Sequence, residues 1–203
     1  EVLGADPVLA PLVAAHPGLR VPGAVDGFEM AVRAIIGQRI SVAGATTLTG
    51  RLVAALGEPL ATADGGLTRR FPTPERLAEA ELDTLGVTRA RARALRALAG
   101  AVVKGDLELH PGADRAQTAA ALLALPGVGP WTVGYVAMRA LGDPDAFPVA
   151  DLGLRHALRA HGLPDDPAAI TDRAERWRPW RAYATQHLWT SLGSTAHAEE
   201  TAA

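Results

Sequence analysis

The chain contains no cysteine. That absence excludes disulfides, thiolate zinc sites and cysteine-ligated iron–sulfur clusters. No stretch is long and apolar enough to span a bilayer. The opening residues EVLGADPVLA lack a basic segment followed by an apolar run, so a soluble cytoplasmic protein is expected. Runs of β-branched residues are scarce, no convincing strand stands out, and no solenoid period is present. Lysine is almost missing as well: Lys104 is the only one among 20 basic residues, which reads as a composition bias.

What is there points to helix. Alanine, leucine and arginine dominate, and 48% of the 203 residues are hydrophobic, enough for one compact unit or two small lobes. The formal net charge of −2 argues mildly against nucleic acid, but a local patch outweighs the total.

Helix starts follow from cap residues. Asp6 caps a helix running to about His16, Asp26 one from Gly27 to about Gln38, and Ser41 one ending near Gly57. ATADGG reads as loop. Thr73-Pro74-Glu75 opens a short helix with Pro at its first position. Arg89 to Lys104 is a helix whose RARARALR run reads first as a solvated face and second as a DNA-facing one. GDLELHPGAD is an extended connector, and Asp114 caps a helix to about Ala124. Further helices start at Pro130, at Asp151, at Asp165 or Asp166, and at Pro179. The tail STAHAEETAA is expected to fray.

Residues 122–141, LLALPGVGPWTVGYVAMRAL, are the most informative segment. Two amphipathic helices are joined by Leu125-Pro126-Gly127-Val128-Gly129. Gly127 and Gly129 are free to take positive φ and lack a Cβ, so another backbone can approach closely. Pro130 opens the second helix, where its missing N–H costs nothing. The unpaired N–H groups of that turn and the helix dipole favour a phosphate without net positive charge. An ordinary tight turn between helices would look the same in isolation. Downstream, DAFPVADLGLRHALRAHG places Asp151 at a helix start. As a plain N-cap it is worth about 1 kcal/mol, and a cap can also be catalytic.

LPGVGPWT…Y followed by FPVAD resembles the helix-hairpin-helix (HhH-GPD) DNA glycosylase superfamily, and within it the 3-methyladenine DNA glycosylase II (AlkA) family. The likeness runs from HPGLRVPG through VDGFEMAVRAIIGQRISV and FPTPERLA to ERWRPWRAYATQHLW. It implies an all-α fold of two helical lobes with the hairpin at the cleft: residues 27–143 form the lobe with the hairpin, and 1–26 plus 144–203 the lobe carrying the essential Asp151. It implies that Trp131, Tyr135 and Trp189 line a base pocket, and that Gln38 faces the vacated base stack. Arg39, Gly127, Gly129 and Thr132 would contact DNA. Main-chain carbonyls of Leu123, Leu125 and Val128 would hold a Na+ or K+ ion, with no cofactor required. The implied partner is damaged double-stranded DNA, bound by a monomer. Trp131 and Tyr135, at i and i+4, would also suit a core. Trp177 and Trp180 are assigned to the core.

Three departures stand out. The family's small N-terminal α+β domain is not among these residues. Arg39 stands where the family carries an apolar wedge, and Leu152 where an aromatic is expected. The implied reaction is excision of alkylated bases by hydrolysis of the N-glycosidic bond, with the nucleotide flipped out and Asp151 meeting the positive charge that grows on the sugar. Bifunctional relatives carry a lysine at the second position after the final hairpin glycine. Trp131 occupies that position here, which implies no lyase activity. The alternative is a non-catalytic helix-hairpin-helix DNA-binding module.

Overall fold

The structure, a computed structural model, describes residues 1–193 in full and the backbone as far as residue 201. The fraying expected from Ser194 onward falls outside the fully described residues. After a 3-10 turn at Leu3–Ala5 come α1 (Leu9–Ala15), α2 (Gly27–Gly37) and α3 (Val42–Leu56). A hairpin of β1 (Pro59–Asp64) and β2 (Leu67–Arg69) leads to α4 (Pro74–Ala78), α5 (Arg89–Val103), α6 (Arg115–Leu123) and α7 (Pro130–Arg139). The chain continues with α8 (Leu152–Ala160), α9 (Pro167–Glu175) and α10 (Arg181–Thr201). No described helix is long and apolar enough to cross a membrane.

Caps set most of these starts. The side chains of Asp26, Ser41, Thr73, Thr88, Asp114, Asp151 and Asp166 each accept a bond from the backbone N–H three residues on. Asp6 acts similarly, accepting from the N–H of Val8 and of Leu9 at 2.9 and 3.3 Å.

The strand pair corrects the reading of ATADGG as loop. Asp64 pairs with Leu67 across Gly65-Gly66, with Gly65 at φ 56. Such a two-residue glycine turn closes a hairpin. The strands are exposed apart from a half-buried Leu60, so they carry no alternating apolar pattern to betray them.

Buried apolar side chains gather into two helical lobes. One core runs from Phe28 to Ala140 and is centred on α2 and α5. The other joins Leu9 of α1 to residues of α8, α9 and α10, with Trp177 at its heart. Asp6 binds α1 to this second core: it accepts from Trp177 Nε1 at 3.0 Å and from Arg173 Nη2 at 2.8 Å. Trp180 does not join the core; it is 42% exposed, at the start of α10. A third, small cluster of Met138, Ala146 and Ala182 joins α7 to α10 beside Tyr135 and Trp189.

The arginine run of α5 is not uniformly solvated. Arg91 reaches back to α2, donating to the carbonyls of Ile35 at 3.2 Å and Gln38 at 2.7 Å. A cation there satisfies orphan carbonyls at the C-terminus of α2. Arg89 and Arg93 are exposed, as expected.

Candidate active site

A cleft of about 880 Å³ opens between the end of α2, the hairpin and the start of α8. Gln38, Arg39, Ile40, Gly127, Gly129, Trp131, Asp151, Leu152 and Arg155 are among its lining residues.

Asp151 is brought there by a close approach of backbones. Any side chain on Gly134 of α7 would collide with the Phe147 carbonyl, so glycine lets the segment 147–151 lie against the helix. The segment then turns through Ala150, which holds φ 62. A left-handed alanine costs roughly 1–2 kcal/mol. The strain sits next to the carboxylate, where a site residue must be aimed.

The Asp151 carboxylate is buried and fully engaged on one side. Oδ1 accepts from the Leu154 N–H at 2.6 Å, which caps α8, and from Trp189 Nε1 at 2.8 Å. Oδ2 accepts from Trp131 Nε1 at 2.8 Å. Gly153 makes room for this grip: a Cβ there would lie 3.2 Å from both Asp151 Oδ1 and Trp189 Nε1.

Trp131 and Tyr135 stack with centroids 5.3 Å apart and planes 15° apart. Tyr135 meets Trp189 at 6.2 Å and 47°. Only Trp131 of the three lines the cleft; Tyr135 and Trp189 stand behind it. The three expected pocket aromatics therefore form one cluster, with one ring at the cleft.

Gln38 is turned onto the hairpin. Its Nε2 donates to the Gly127 carbonyl at 3.1 Å and to Thr132 Oγ1 at 2.9 Å. Thr132 is 2% exposed. Its hydroxyl is engaged by Gln38, while the residue itself lines the cleft at the first turn of α7. Arg39, next in the chain, is exposed and left-handed at φ 58. Gly127 has the expected positive φ of 76, but Gly129 does not: as N-cap of α7 it is extended at φ −118. A Cβ on Gly129 would meet nothing within 4 Å. Gly129 gives α7 no side-chain cap, so its first N–H groups are left facing outward.

Sequence reading missed Ile40, Ala150 and Arg155 as cleft residues. Arg155 had a signal, lying one helical turn after Asp151. It is held from below by Asp165, donating to its carbonyl at 2.9 Å. Leu152, 60% exposed, lines the cleft beside Asp151.

A family model for HhH-GPD superfamily base excision DNA repair proteins matches residues 32–182. A Mycobacterium tuberculosis protein named probable bifunctional transcriptional activator/DNA repair enzyme AlkA is 52% identical over 192 residues, covering 95% of this chain and 39% of the relative. DNA-3-methyladenine glycosylase 2 of Escherichia coli is 43% identical over 188 residues, covering 91% of this chain and 64% of the relative. The chain thus spans less than two thirds of either relative. Among solved structures, a Clostridium acetobutylicum 8-oxoguanine glycosylase/lyase in complex with double-stranded DNA superposes with a TM-score of 0.80. The match covers 96% of this chain and 68% of that one at 22% identity, a likeness of fold alone. By the family match and these identities, the chain belongs to the HhH-GPD superfamily of base excision DNA repair proteins.

Proposed function

We propose that this chain is a monofunctional DNA glycosylase that excises alkylated bases of the 3-methyladenine and 7-methylguanine type from double-stranded DNA. The observation that carries the reading is the grip on Asp151: a buried carboxylate, oriented by two indole N–H groups and a backbone N–H, at the wall of an open cleft. A helix-hairpin-helix module that only binds DNA has no use for such an arrangement. The relatives named as DNA repair enzyme and 3-methyladenine glycosylase support the same choice.

The target nucleotide leaves the stack and enters the cleft, at a cost of a few kcal/mol that is least for a damaged base. The outward N–H groups at the start of α7, with Gly127 and Gly129 presenting no side chain, hold a phosphate of the strand. The Trp131 ring receives the base, and a cationic base on an electron-rich ring gains about 0.5–2 kcal/mol. As the glycosidic bond breaks, its electron pair leaves with the base and positive charge grows on the sugar. The Asp151 carboxylate stabilises that charge electrostatically or orients the attacking water.

Hairpin carbonyls are the kind of oxygen donor that a hard monovalent cation takes. Leu123 ends α6 and is 49% exposed, and the Leu125 carbonyl, which accepts from Val128 N–H at 3.3 Å, has a lone pair to spare. Leu123, Leu125 and Val128 would hold Na+ or K+, whose charge complements the neighbouring phosphate.

Lyase chemistry needs an amine in the cleft. Trp131 occupies the candidate position, and Lys104 is the C-cap of α5, away from the cleft. Release of 7-methylguanine from a methylated duplex, with borohydride trapping on abasic DNA run beside it, tests the reading. Base release without a trapped adduct is expected. A trapped adduct would contradict monofunctionality, and absence of release would leave only the DNA-binding alternative.

A further inference from the structure

Trp131, Tyr135 and Arg139 lie at i, i+4 and i+8 on one face of α7. The stacked Trp131–Tyr135 pair is continued by the Arg139 guanidinium, 5.7 Å from the Tyr135 centroid. Arg139 Nη1 also donates to the Tyr135 hydroxyl at 3.5 Å. The column therefore runs from the cleft through two rings to a cation.

Several arginines of the second lobe are paired with carboxylates. Arg178 and Arg181 share Asp145, Arg155 and Arg159 share Asp165, and Arg173 has Asp6. Among the described residues no carboxylate forms an ion pair with Arg139. Its Nε is buried and without a partner. Arg139 stands in the last turn of α7, where the helix dipole favours a cation, but the dipole leaves its buried Nε without an acceptor. A neutral side chain of similar length would fill the same space.

We propose that the charge of Arg139, transmitted along the Tyr135–Trp131 column, biases excision toward neutral damaged bases over cationic ones. This rests on the glycosylase reading above. The sign follows from the charge that the base carries into the cleft. In the ground state a positive charge behind the rings draws π density away from the cleft and repels a base that is itself positive. In the reaction the electron pair of the broken glycosidic bond goes to the base. A cationic base becomes neutral on leaving. A neutral base becomes an anion until it takes up a proton, while the sugar cation is captured by water, which gives one up. The charge transferred to the base is the same in both cases, so a cation behind the rings assists bond breaking equally and discriminates only through its repulsion of a base that carries positive charge on entering the cleft. Arg139 does not line the cleft and touches no reacting atom. It is a positioning and specificity residue acting through the rings. A unit charge roughly 12–15 Å away, across a medium of effective dielectric about 20, changes a rate by about five- to tenfold.

The test compares single-turnover release of hypoxanthine, a neutral lesion, and 7-methylguanine, a cationic one, from otherwise identical duplexes, with enzyme in excess of DNA but below saturation so that the rate is measured from the free reactants. Arg139→Lys keeps the charge; Arg139→Met and Arg139→Gln remove it, and melting curves select whichever neutral variant folds. Contributions of Arg139 to stability or to general DNA affinity cancel in the ratio of the two rates. The expected result is a hypoxanthine-to-7-methylguanine ratio that falls about fivefold in the neutral variant and stays near the wild-type value in Arg139→Lys. Equal ratios in the Lys and neutral variants would overturn the proposal, as would wild-type release of 7-methylguanine with none of hypoxanthine. Release of neither base by the wild-type protein would instead defeat the glycosylase reading itself.

Discussion

Trp189 Nε1 donates to Oδ1 of Asp151 at 2.8 Å, from a helix thirty-eight positions further along the chain. The residue thus orients the carboxylate while standing behind the cleft wall. Its indole N–H matters more than its ring face. Trp189→Phe keeps an aromatic ring, though a smaller one, and removes the donor. Single-turnover base release should fall about ten- to hundredfold, since a misaimed group costs that much, with DNA affinity unchanged. Loss of affinity with an unchanged chemical step would return Trp189 to a base-stacking role.

The two hairpin glycines should behave differently. Gly127 is left-handed, so a side chain there strains the backbone by about 1–2 kcal/mol. Gly129 is extended with open space at its Cβ position. Gly129→Leu should leave the melting temperature near wild type and weaken DNA binding by roughly tenfold, equally for damaged and undamaged duplex. A folding defect with binding in proportion to the folded fraction would reduce the hairpin to an ordinary turn.

Much of this was legible because it is local. Asp26, Ser41 and Asp114 announce their helices through a bond three residues away. The Gly-Pro-rich hairpin and Asp151 carried the site in one stretch of sequence. Long-range relations were not legible. Nothing in RARARALR says that Arg91 will seize the carbonyls at the end of α2, or that Gln38 will turn to Gly127. The left-handed Arg39 and Ala150 were hidden because neither is glycine; surrounding contacts hold them there.

Arg39 sits on that left-handed turn at the cleft, free to act as a stacking wedge or as a phosphate contact. If it only pairs with phosphate, Arg39→Ala flattens the salt dependence of binding by about one unit and weakens all duplexes alike. If it is a wedge, the loss is greatest at a well-stacked lesion and Arg39→Leu recovers it. We expect the wedge pattern. Equal impairment of the Ala and Leu variants, uniform across substrates, would contradict it.

Acid should unlock the second lobe in two steps. Burial, and then the nearby His16, hold His187 below its ordinary range. A depressed histidine gives stability that is complete above about pH 6.5 and lost as pH falls below it. Burial pushes the Asp6 carboxyl up, but the bonds from Trp177, from the Val8 and Leu9 N–H groups and from Arg173 outweigh it and hold it below the usual carboxylate range. Its contribution is therefore present above about pH 4 and lost on further acidification. Asp6→Asn should cost about 1–3 kcal/mol at neutral pH and remove the steeper, more acidic part of the melting-temperature decline. An unchanged acid limb would show that the Asp6 contacts do not stabilise the lobe.

The central claim is that Asp151 carries the chemistry. The direct measurement is single-turnover release of 7-methylguanine from methylated duplex DNA by the wild-type protein and by Asp151→Asn. The asparagine oxygen retains an acceptor for the Leu154 N–H and the Trp189 indole, while its NH2 faces the Trp131 Nε1–H and the charge is gone. The account predicts a folded variant that binds the duplex and has lost release by about a hundredfold or more. Wild-type release by Asp151→Asn would contradict it.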